Sequence, residues 1–503
     1  MSKQLLRRGF TTKSALRPAY FQGILPLSAC GALILQLALG AFVPNPVTGF
    51  NLQISFLMAA MIAMLAYELL RVGHPLTPAG ISALAGLFLF VLRPWAVYRN
   101  GVTSPGAMLD SRGFADETVV AGNVALIQVG LFYLVAWLVF FSLVRRFRVE
   151  TENKGAIPFS VARVRVLVVL VAVAAIGVTF LLLISSGGLA AHLEGVAYRS
   201  SFLAGRYFLT LGYVPFVVAL ALYVAVRRGH GLRTLTPLTF ALATILCGVA
   251  FITGGRGPLL LGAVLPILLL IQTSSRPLRR RELGLLGVLL LVGAMIMSLT
   301  LRENRYDQGA SLEALREDPV GTLADRLMSG AESRPFDSLI LINEVEAQDD
   351  LPILWGATYA RVPTWFVPGS VLPGKDSGAN TWFTREYLPR FYYPEKIETS
   401  VSAIGEAYIN FRYPGIILSA FFLGYVLAAL GVTGPRWNPT RLTRIAVLTP
   451  VVFSFVRGDS YQTLSLAILV LVFSFLFSAL IRSPRRSLSA WRHHRRVPAR
   501  PSH

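Results

Sequence analysis

Two kinds of residue in this chain could do chemistry: arginines set against glycines at the ends of apolar runs, and carboxylates close to such runs. Arg256 stands in Thr253-Gly254-Gly255-Arg256-Gly257-Pro258. Glycines let a ligand approach the backbone, and Pro258 is a favoured first residue of a helix. A helix N-terminus beside a guanidinium is an anion site, suited above all to phosphate. Arg457 stands in Arg457-Gly458-Asp459-Ser460, again just ahead of an apolar run. Arg206 opens another run, and Arg302, Arg305 and Arg334 lie in a long polar segment. Several such arginines on one membrane face suit a diphosphate. For any one of them the competing reading is an interfacial side chain that snorkels to water.

A hydroxyl that attacks a glycosyl diphosphate needs a base to take its proton. Glu406, in Ser402-Ala403-Ile404-Gly405-Glu406-Ala407-Tyr408, lies shortly before an apolar run, where a carboxylate is costly unless it has a role. Asp337, in Arg334-Pro335-Phe336-Asp337, is the second candidate. The competing reading for each is an ion pair with a neighbouring arginine.

Other chemistries find little support. The motifs HExxH, GxSxG and the P-loop are absent, so nucleotide-driven chemistry would need a partner. Cys30 and Cys247 both sit in apolar segments, which predicts two thiols packed between helices and no CxxC metal site. Of the histidines, the predicted topology leaves only His192 outside, which argues against a histidine metal site there. The residues call for no cofactor.

The elements that must position these groups are membrane helices. Of 503 residues, 54% are hydrophobic and 15% charged, against about 25% charged in an ordinary soluble chain. The apolar residues come in blocks long enough to span, about 20 residues each. We read spans at 22–43, 52–70, 77–92, 123–144, 166–184, 207–226, 238–253, 258–272, 283–300, 414–433, 445–456 and 460–481. The fold class expected is therefore all-α, polytopic, with about twelve transmembrane helices. The segments 238–253 and 258–272 read as a tight hairpin, with one broken helix as the alternative.

Charge orients the path. With both termini inside, the inner segments hold 29 basic residues against three acids, Glu150, Glu152 and Glu282; the outer segments hold 18 against 22. Cytoplasmic loops carry such an excess. The net charge of +21 is thus a topology signal and not a nucleic-acid surface. The basic stretch 1–21 before the first run resembles a signal peptide, but that run is too long for one, and an uncleaved helix is expected. The basic tail, 482–503, is expected to lie against anionic lipid.

The organisation that follows is a basic N-terminus (1–21), nine spans (22–300), a large outer loop (301–413), three further spans (414–481) and the tail. No internal repeat is visible. Within the loop, Leu312, Leu315, Leu323 and Leu327 predict helix over roughly 310–345. The Pro-, Gly-, Trp- and Tyr-rich stretch 352–395 predicts a compact irregular loop near the interface.

Several of these motifs together resemble the bacterial O-antigen polymerase family, the oligosaccharide repeat-unit polymerases. They are the Thr253–Pro258 turn between apolar helices, the large loop, the segment Glu398-Thr399-Ser400-Val401-Ser402-Ala403-Ile404-Gly405-Glu406-Ala407-Tyr408-Ile409-Asn410-Phe411, and Arg457-Gly458-Asp459 before the last span. The likeness covers roughly 240–470. It implies a fold like that of lipid-dependent membrane glycosyltransferases in the bacterial cytoplasmic membrane. It implies transfer of a glycan from polyprenyl diphosphate to the acceptor sugar of a new repeat unit at the outer face. The partners implied are the polyprenyl-diphosphate-linked oligosaccharide, membrane lipids, a chain-length regulator and a flippase. Arg256 and Arg457 match the family's diphosphate-binding positions; Arg334 and Arg206 are further candidates, and Glu406 or Asp337 would act as base. The chain departs from the pattern in lacking an outer arginine with glycine eleven residues on. The related ligases use a histidine in the large loop, and this loop has none, which favours the polymerase.

Three other readings compete: a ligase or cell-wall glycan polymerase, a lipid-linked sugar flippase, and a structural scaffold. A transporter would show repeats and midplane charges, whereas the spans here are almost uncharged. A scaffold predicts that Arg256→Ala is harmless.

Overall fold

A computed structural model of the chain describes residues 16–98, 116–152, 159–189, 203–230, 236–252, 334–367, 378–389, 398–431 and 438–482, with a few single positions between them. Among these residues the secondary structure is helical, apart from one isolated bridge between Phe159 and Arg482. The path runs through α1 (Leu16–Phe42), α2 (Pro46–Val72), α3 (Pro78–Leu87), a π-turn (Phe88–Leu92), α4 (Arg93–Tyr98), α5 (Asp116–Glu152) and α6 (Val161–Ser185). It continues through α7 (Leu203–Gly229), α8 (Pro237–Ile252) and α9 (Pro335–Ala347). Then come α10 (Ala357–Ala360), a 3₁₀ turn (Val362–Phe366), α11 (Ala379–Tyr387), α12 (Ser402–Leu430), α13 (Pro439–Arg457) and α14 (Ser460–Ile481).

Local sequence explains where helices begin. Asn45, Thr77 and Asn438 each cap a helix whose first residue is proline: Pro46, Pro78 and Pro439. The cap oxygen takes an orphan N–H, and the proline has no N–H to orphan. Ser160 and Asp459 cap α6 and α14 in the same way.

Eight helices among the described residues are long and apolar enough to cross a membrane. They match the predicted spans beginning at 22, 52, 77, 123, 166, 207, 414 and 460, with different ends. Their outer faces fit hydrocarbon. On α6, for example, Val166, Leu170, Val173, Phe180, Leu181 and Ile184 are exposed together. The chain is thus a multi-pass membrane protein. Of the other four predicted spans, 238–253 appears as the 16-residue α8. The span at 445–456 appears as the 19-residue α13, which carries Arg441, Arg444 and Arg457 and is not apolar enough to qualify. The spans 258–272 and 283–300 lie outside the described residues, as do Leu312 to Leu327 of the predicted loop helix.

The buried residues form two cores. One joins α1, α2, α3, the π-turn, α5, α9, α11, α12 and the end of α13; the other joins α6, α7, α8, α14 and the earlier part of α13. Between α1, α2 and α5, Gln36 Nε2 donates to Gln53 Oε1 at 3.0 Å, and Gln53 Nε2 to Asn123 Oδ1 at 2.7 Å. Such side-chain bonds hold membrane helices together where no hydrophobic effect drives their association.

Hydrogen bonds also join helix ends that lie far apart in the chain. Arg71 Nη1 donates to the Gly431 carbonyl at 3.1 Å, joining ends that the charge count places inside. Thr118 Oγ1 donates to Glu344 at 2.9 Å, joining segments it places outside.

Three parts of the chain differ from the sequence reading. The segment 335–347 belongs to the large loop by sequence, yet α9 is buried on nearly every side, from Pro335 to Val345. Asn343 on it exchanges hydrogen bonds with Gln128 of α5 at 2.8 and 3.1 Å. The loop therefore sends a helix back into the bundle. The reason is composition: Phe336, Leu339, Ile340, Leu341 and Ile342 surround the helix with apolar surface. The stretch 352–395, expected to be irregular, contains α10, the 3₁₀ turn and α11.

The third difference is α12, which starts at Ser402, twelve residues before the predicted span, and breaks at Arg412 (φ 57, ψ −144). Pro414 lacks the N–H that would bond the Asn410 carbonyl, and its ring would clash with that carbonyl. The carbonyls of Ile409 and Asn410 are taken instead by the N–H groups of Leu354 and Trp355, each at 3.1 Å. The chain folds back sharply here. A Cβ on Gly415 would meet the Ala407 carbonyl oxygen eight residues earlier, too close for any side chain.

Candidate functional site around Glu406 and Ser460

The first part of α12 lies against the N-terminus of α14, and Glu406 is where they join. Its Oε2 accepts from the Ser460 N–H at 2.6 Å; its Oε1 accepts from the Ser460 hydroxyl at 2.7 Å and the Thr358 hydroxyl at 2.7 Å. Only 1% of the residue is exposed. Asn410, one turn on, donates to Thr358 Oγ1 at 2.7 Å and to the Glu406 carbonyl at 2.8 Å, while its Oδ1 accepts from the Gly356 N–H at 3.0 Å. A single carboxylate thus ties together α12, the α10 turn and α14.

Asp459 completes the junction from the other side. As N-cap of α14 it accepts from the Gln462 N–H at 3.4 Å, and its second oxygen accepts from the Asn380 N–H at 3.1 Å. Burial pushes this carboxyl up to about 6; the Asn380 N–H opposes the rise and the Glu398 charge adds to it. Asn380 Oδ1 in turn accepts from the Val401 N–H at 2.8 Å. The segment before α12 is fixed residue by residue: Thr381 donates to Glu398 at 2.6 Å, Thr399 N–H to Thr384 at 2.9 Å, and the Ser400 hydroxyl to the Arg457 carbonyl at 2.5 Å. Beside Glu406, burial first and the Glu406 charge second push the Tyr359 phenol well above its ordinary range, so it stays protonated.

The other carboxylate sits differently. Asp337, in the first turn of α9, accepts from Arg93 Nη2 at 2.6 Å and Arg93 Nε at 3.2 Å, and neither side chain is exposed. This two-pronged pair is the ion-pair reading of Asp337. Arg93 follows directly on the π-turn, which shifts the helix register at that point.

The arginines are partly placed. Arg457 ends α13, half-buried, with its carbonyl held by Ser400. Arg334 is the N-cap residue of α9, and its carbonyl takes the Ser338 N–H at 3.1 Å. Ser338 is bonded to Thr399 at 2.9 Å, so Arg334 and Arg457 flank the same short segment, Thr399–Ser400. Arg206 lies in the first turn of α7, and its side chain is outside the described residues, as is Arg256 with its whole turn. His192 is buried, with Nδ1 3.2 Å from Ser186 Oγ and Nε2 2.8 Å from the Ile252 carbonyl. Cys30 and Cys247 are both half-buried thiols, not joined in a disulfide.

Sequence reasoning missed Thr358, Asn380 and Arg93. Ser460 and Asn410 stand inside the quoted motifs, and their polar side chains beside apolar runs were a usable signal. Arg93, at the end of an apolar run and followed by Pro94, was another. Nothing local marks Thr358.

The site can accept a proton. A carboxylate has about four acceptor positions, and three neutral donors occupy three of them, leaving one on Oε2. Among the described residues no group of three His, Cys, Asp or Glu side chains is placed to hold a metal. No family model, no curated protein and no solved structure matches the chain.

Proposed function

We propose that this chain polymerises lipid-linked oligosaccharide repeat units at the outer face of a bacterial cytoplasmic membrane. The observation that carries the reading is the meeting of two motifs. The segment Glu398–Phe411 and the segment Arg457–Asp459, which leads directly into Ser460, both carried the family resemblance. They touch through Glu406 to Ser460 at 2.6 Å and Ser400 to Arg457 at 2.5 Å. A carboxylate and an arginine then stand on either side of one junction, as a transfer from a lipid diphosphate requires.

In this reading an acceptor hydroxyl attacks the anomeric carbon of the donor glycan. The bond from that carbon to the diphosphate oxygen breaks, and the hydroxyl proton passes to Glu406. Arg457, with Arg334 and Arg256, stabilises the charge that develops on the departing diphosphate. Glu406 is preferred over Asp337 as the base because Asp337 is held from two directions by Arg93. Reaching Glu406 requires the Thr358 turn to move aside, since the carboxylate is closed off in this state. The glycosidic energy is stored in the donor, so no nucleotide is needed.

The test is deletion of the gene in its host, with the surface glycan run on a gel beside strains complemented with wild type, Glu406→Gln, Arg457→Ala and Arg256→Ala. A ladder that collapses to single repeat units and returns only with wild type is the expected outcome. An intact ladder in the deletion strain, or loss of all lipid-linked units from the outer face, would point to a redundant enzyme or a flippase instead.

A further inference from the structure

Trp355 is a large apolar side chain in a costly position. It is 76% exposed, and its backbone takes φ 51, a left-handed conformation that bulky residues avoid. The next residue, Gly356, has φ 85, and a Cβ there would press on the Phe411 ring at 3.0 Å. Strain of this kind persists only where the surroundings fix it. Here they do. The Leu354, Trp355 and Gly356 N–H groups are taken by the Ile409 carbonyl, the Asn410 carbonyl and Asn410 Oδ1, at 3.1, 3.1 and 3.0 Å. The Asn410 carbonyl is available because Pro414 has no N–H to give it, and the Ile409 carbonyl because the helix breaks at Arg412 before Tyr413 can reach it.

The ring is held too. Phe411 meets Trp355 edge-on, with centroids 6.5 Å apart at 74°, and Phe411 stacks on Tyr359 at 6.4 Å and 8°. The result is a fixed indole standing out from a rigid turn. Three residues along that turn, Thr358 donates to Glu406.

We propose that Trp355 is a sugar-stacking platform, and that the C–H face of a pyranose of the glycan substrate lies on its open face. The proposal rests on the glycan-polymerase reading for the identity of the ligand. Three features favour a sugar over a lipid. The turn is pinned and strained, whereas an interfacial anchor gains nothing from a fixed ring. The platform shares its turn with the donor to Glu406, which places it beside the candidate base. The segment leading into it carries exposed Asp349 and Asp350, which repel anionic headgroups and accept hydrogen bonds from sugar hydroxyls.

The experiment uses the full chain in nanodiscs. Wild type, Trp355→Ala and Trp355→Phe are titrated with the repeat-unit oligosaccharide released by mild acid from the host's own surface glycan. Expected is binding by wild type, an affinity about tenfold weaker for Trp355→Ala, and near-wild-type binding for Trp355→Phe. Equal binding by the alanine variant, or no binding by wild type at millimolar sugar, overturns the proposal. So does quenching by brominated phosphatidylcholine that disappears in Trp355→Ala, because it places the ring in lipid. Sugar binding that depends on Trp355 in a chain that fails to restore the ladder would sink the polymerase reading and leave the platform standing.

Discussion

Glu406 accepts a hydrogen bond from the Ser460 N–H at 2.6 Å, joining positions 54 residues apart. The bond gives α14 a carboxylate at its positive end, where a negative charge is favoured. Glu406→Ala would leave that N–H and two hydroxyls buried without an acceptor. Each such group costs about 1–3 kcal/mol, so a large fall in melting temperature in detergent is expected. Glu406→Gln keeps the shape and an acceptor for the Ser460 N–H. It should stay folded while repeat-unit transfer falls by about 100-fold or more, the contribution of a general base. A folded Gln variant with wild-type transfer would remove Glu406 from the chemistry.

The Arg93–Asp337 pair is a matter of stability. Arg93→Leu takes from a buried carboxylate the guanidinium that holds both its oxygens and should cost about 3–5 kcal/mol, seen as lost expression or a collapsed thermal transition. The double variant Arg93→Leu with Asp337→Leu should recover most of that loss. If the double variant also makes the glycan ladder, Asp337 is not the base; if it is well folded and inactive, Asp337 regains its claim.

Asp459 gives a pH signature. Its native carboxyl titrates at about 6, against an ordinary value of 3.8. The folded chain therefore binds this proton more tightly than the unfolded chain. Stability from this group falls as pH rises between about 4 and 6, and the penalty is complete above that window. Asparagine caps a helix as well as aspartate does. Asp459→Asn, which keeps the cap bond to the Gln462 N–H and gives up the one to the Asn380 N–H, should thus flatten the pH dependence of thermal unfolding between pH ~4 and ~6. An unchanged slope would show that another group sets it.

The break in α12 can be tested at Arg412. Its guanidinium bonds the Leu351 carbonyl at 2.6 Å, pairs with Glu346 at 2.6 Å and lies 5.2 Å from the Tyr408 ring centre. Replacement by alanine or by glycine removes all three contacts. Only glycine adopts φ 57 with ψ −144 without strain. The glycine variant should therefore be the more stable of the two by about 1–2 kcal/mol. The reverse order, which helix propensity alone would give, would mean that the helix runs through unbroken.

Much of this protein is set locally. A span needs about 20 apolar residues in a row, so α2, α5, α6, α7 and α14 can be read from composition, and the starts of α2, α3 and α14 from the pairs Asn45-Pro46, Thr77-Pro78 and Asp459-Ser460. The excess of basic residues on alternate loops, from which an orientation is predicted, is legible for the same reason: it too is a count along the chain. The break at Arg412 was half legible: Pro414 forbids a regular helix there, but nothing local says that Leu354 and Trp355 will take the freed carbonyls. Burial of α9 was hidden by its position inside a segment that is polar on average. The pairings belong to tertiary structure alone. Arg93 and Asp337 lie 244 positions apart, and Thr358 and Glu406 lie 48 apart. A hydrogen bond or ion pair needs two groups within about 3 Å, and no property of either residue's own neighbourhood specifies the other. The choice between Glu406 and Asp337 was therefore closed to the sequence, since both are single carboxylates near an arginine in the chain. Packing distinguishes them, by giving Asp337 an arginine from a distant helix and Glu406 three neutral donors.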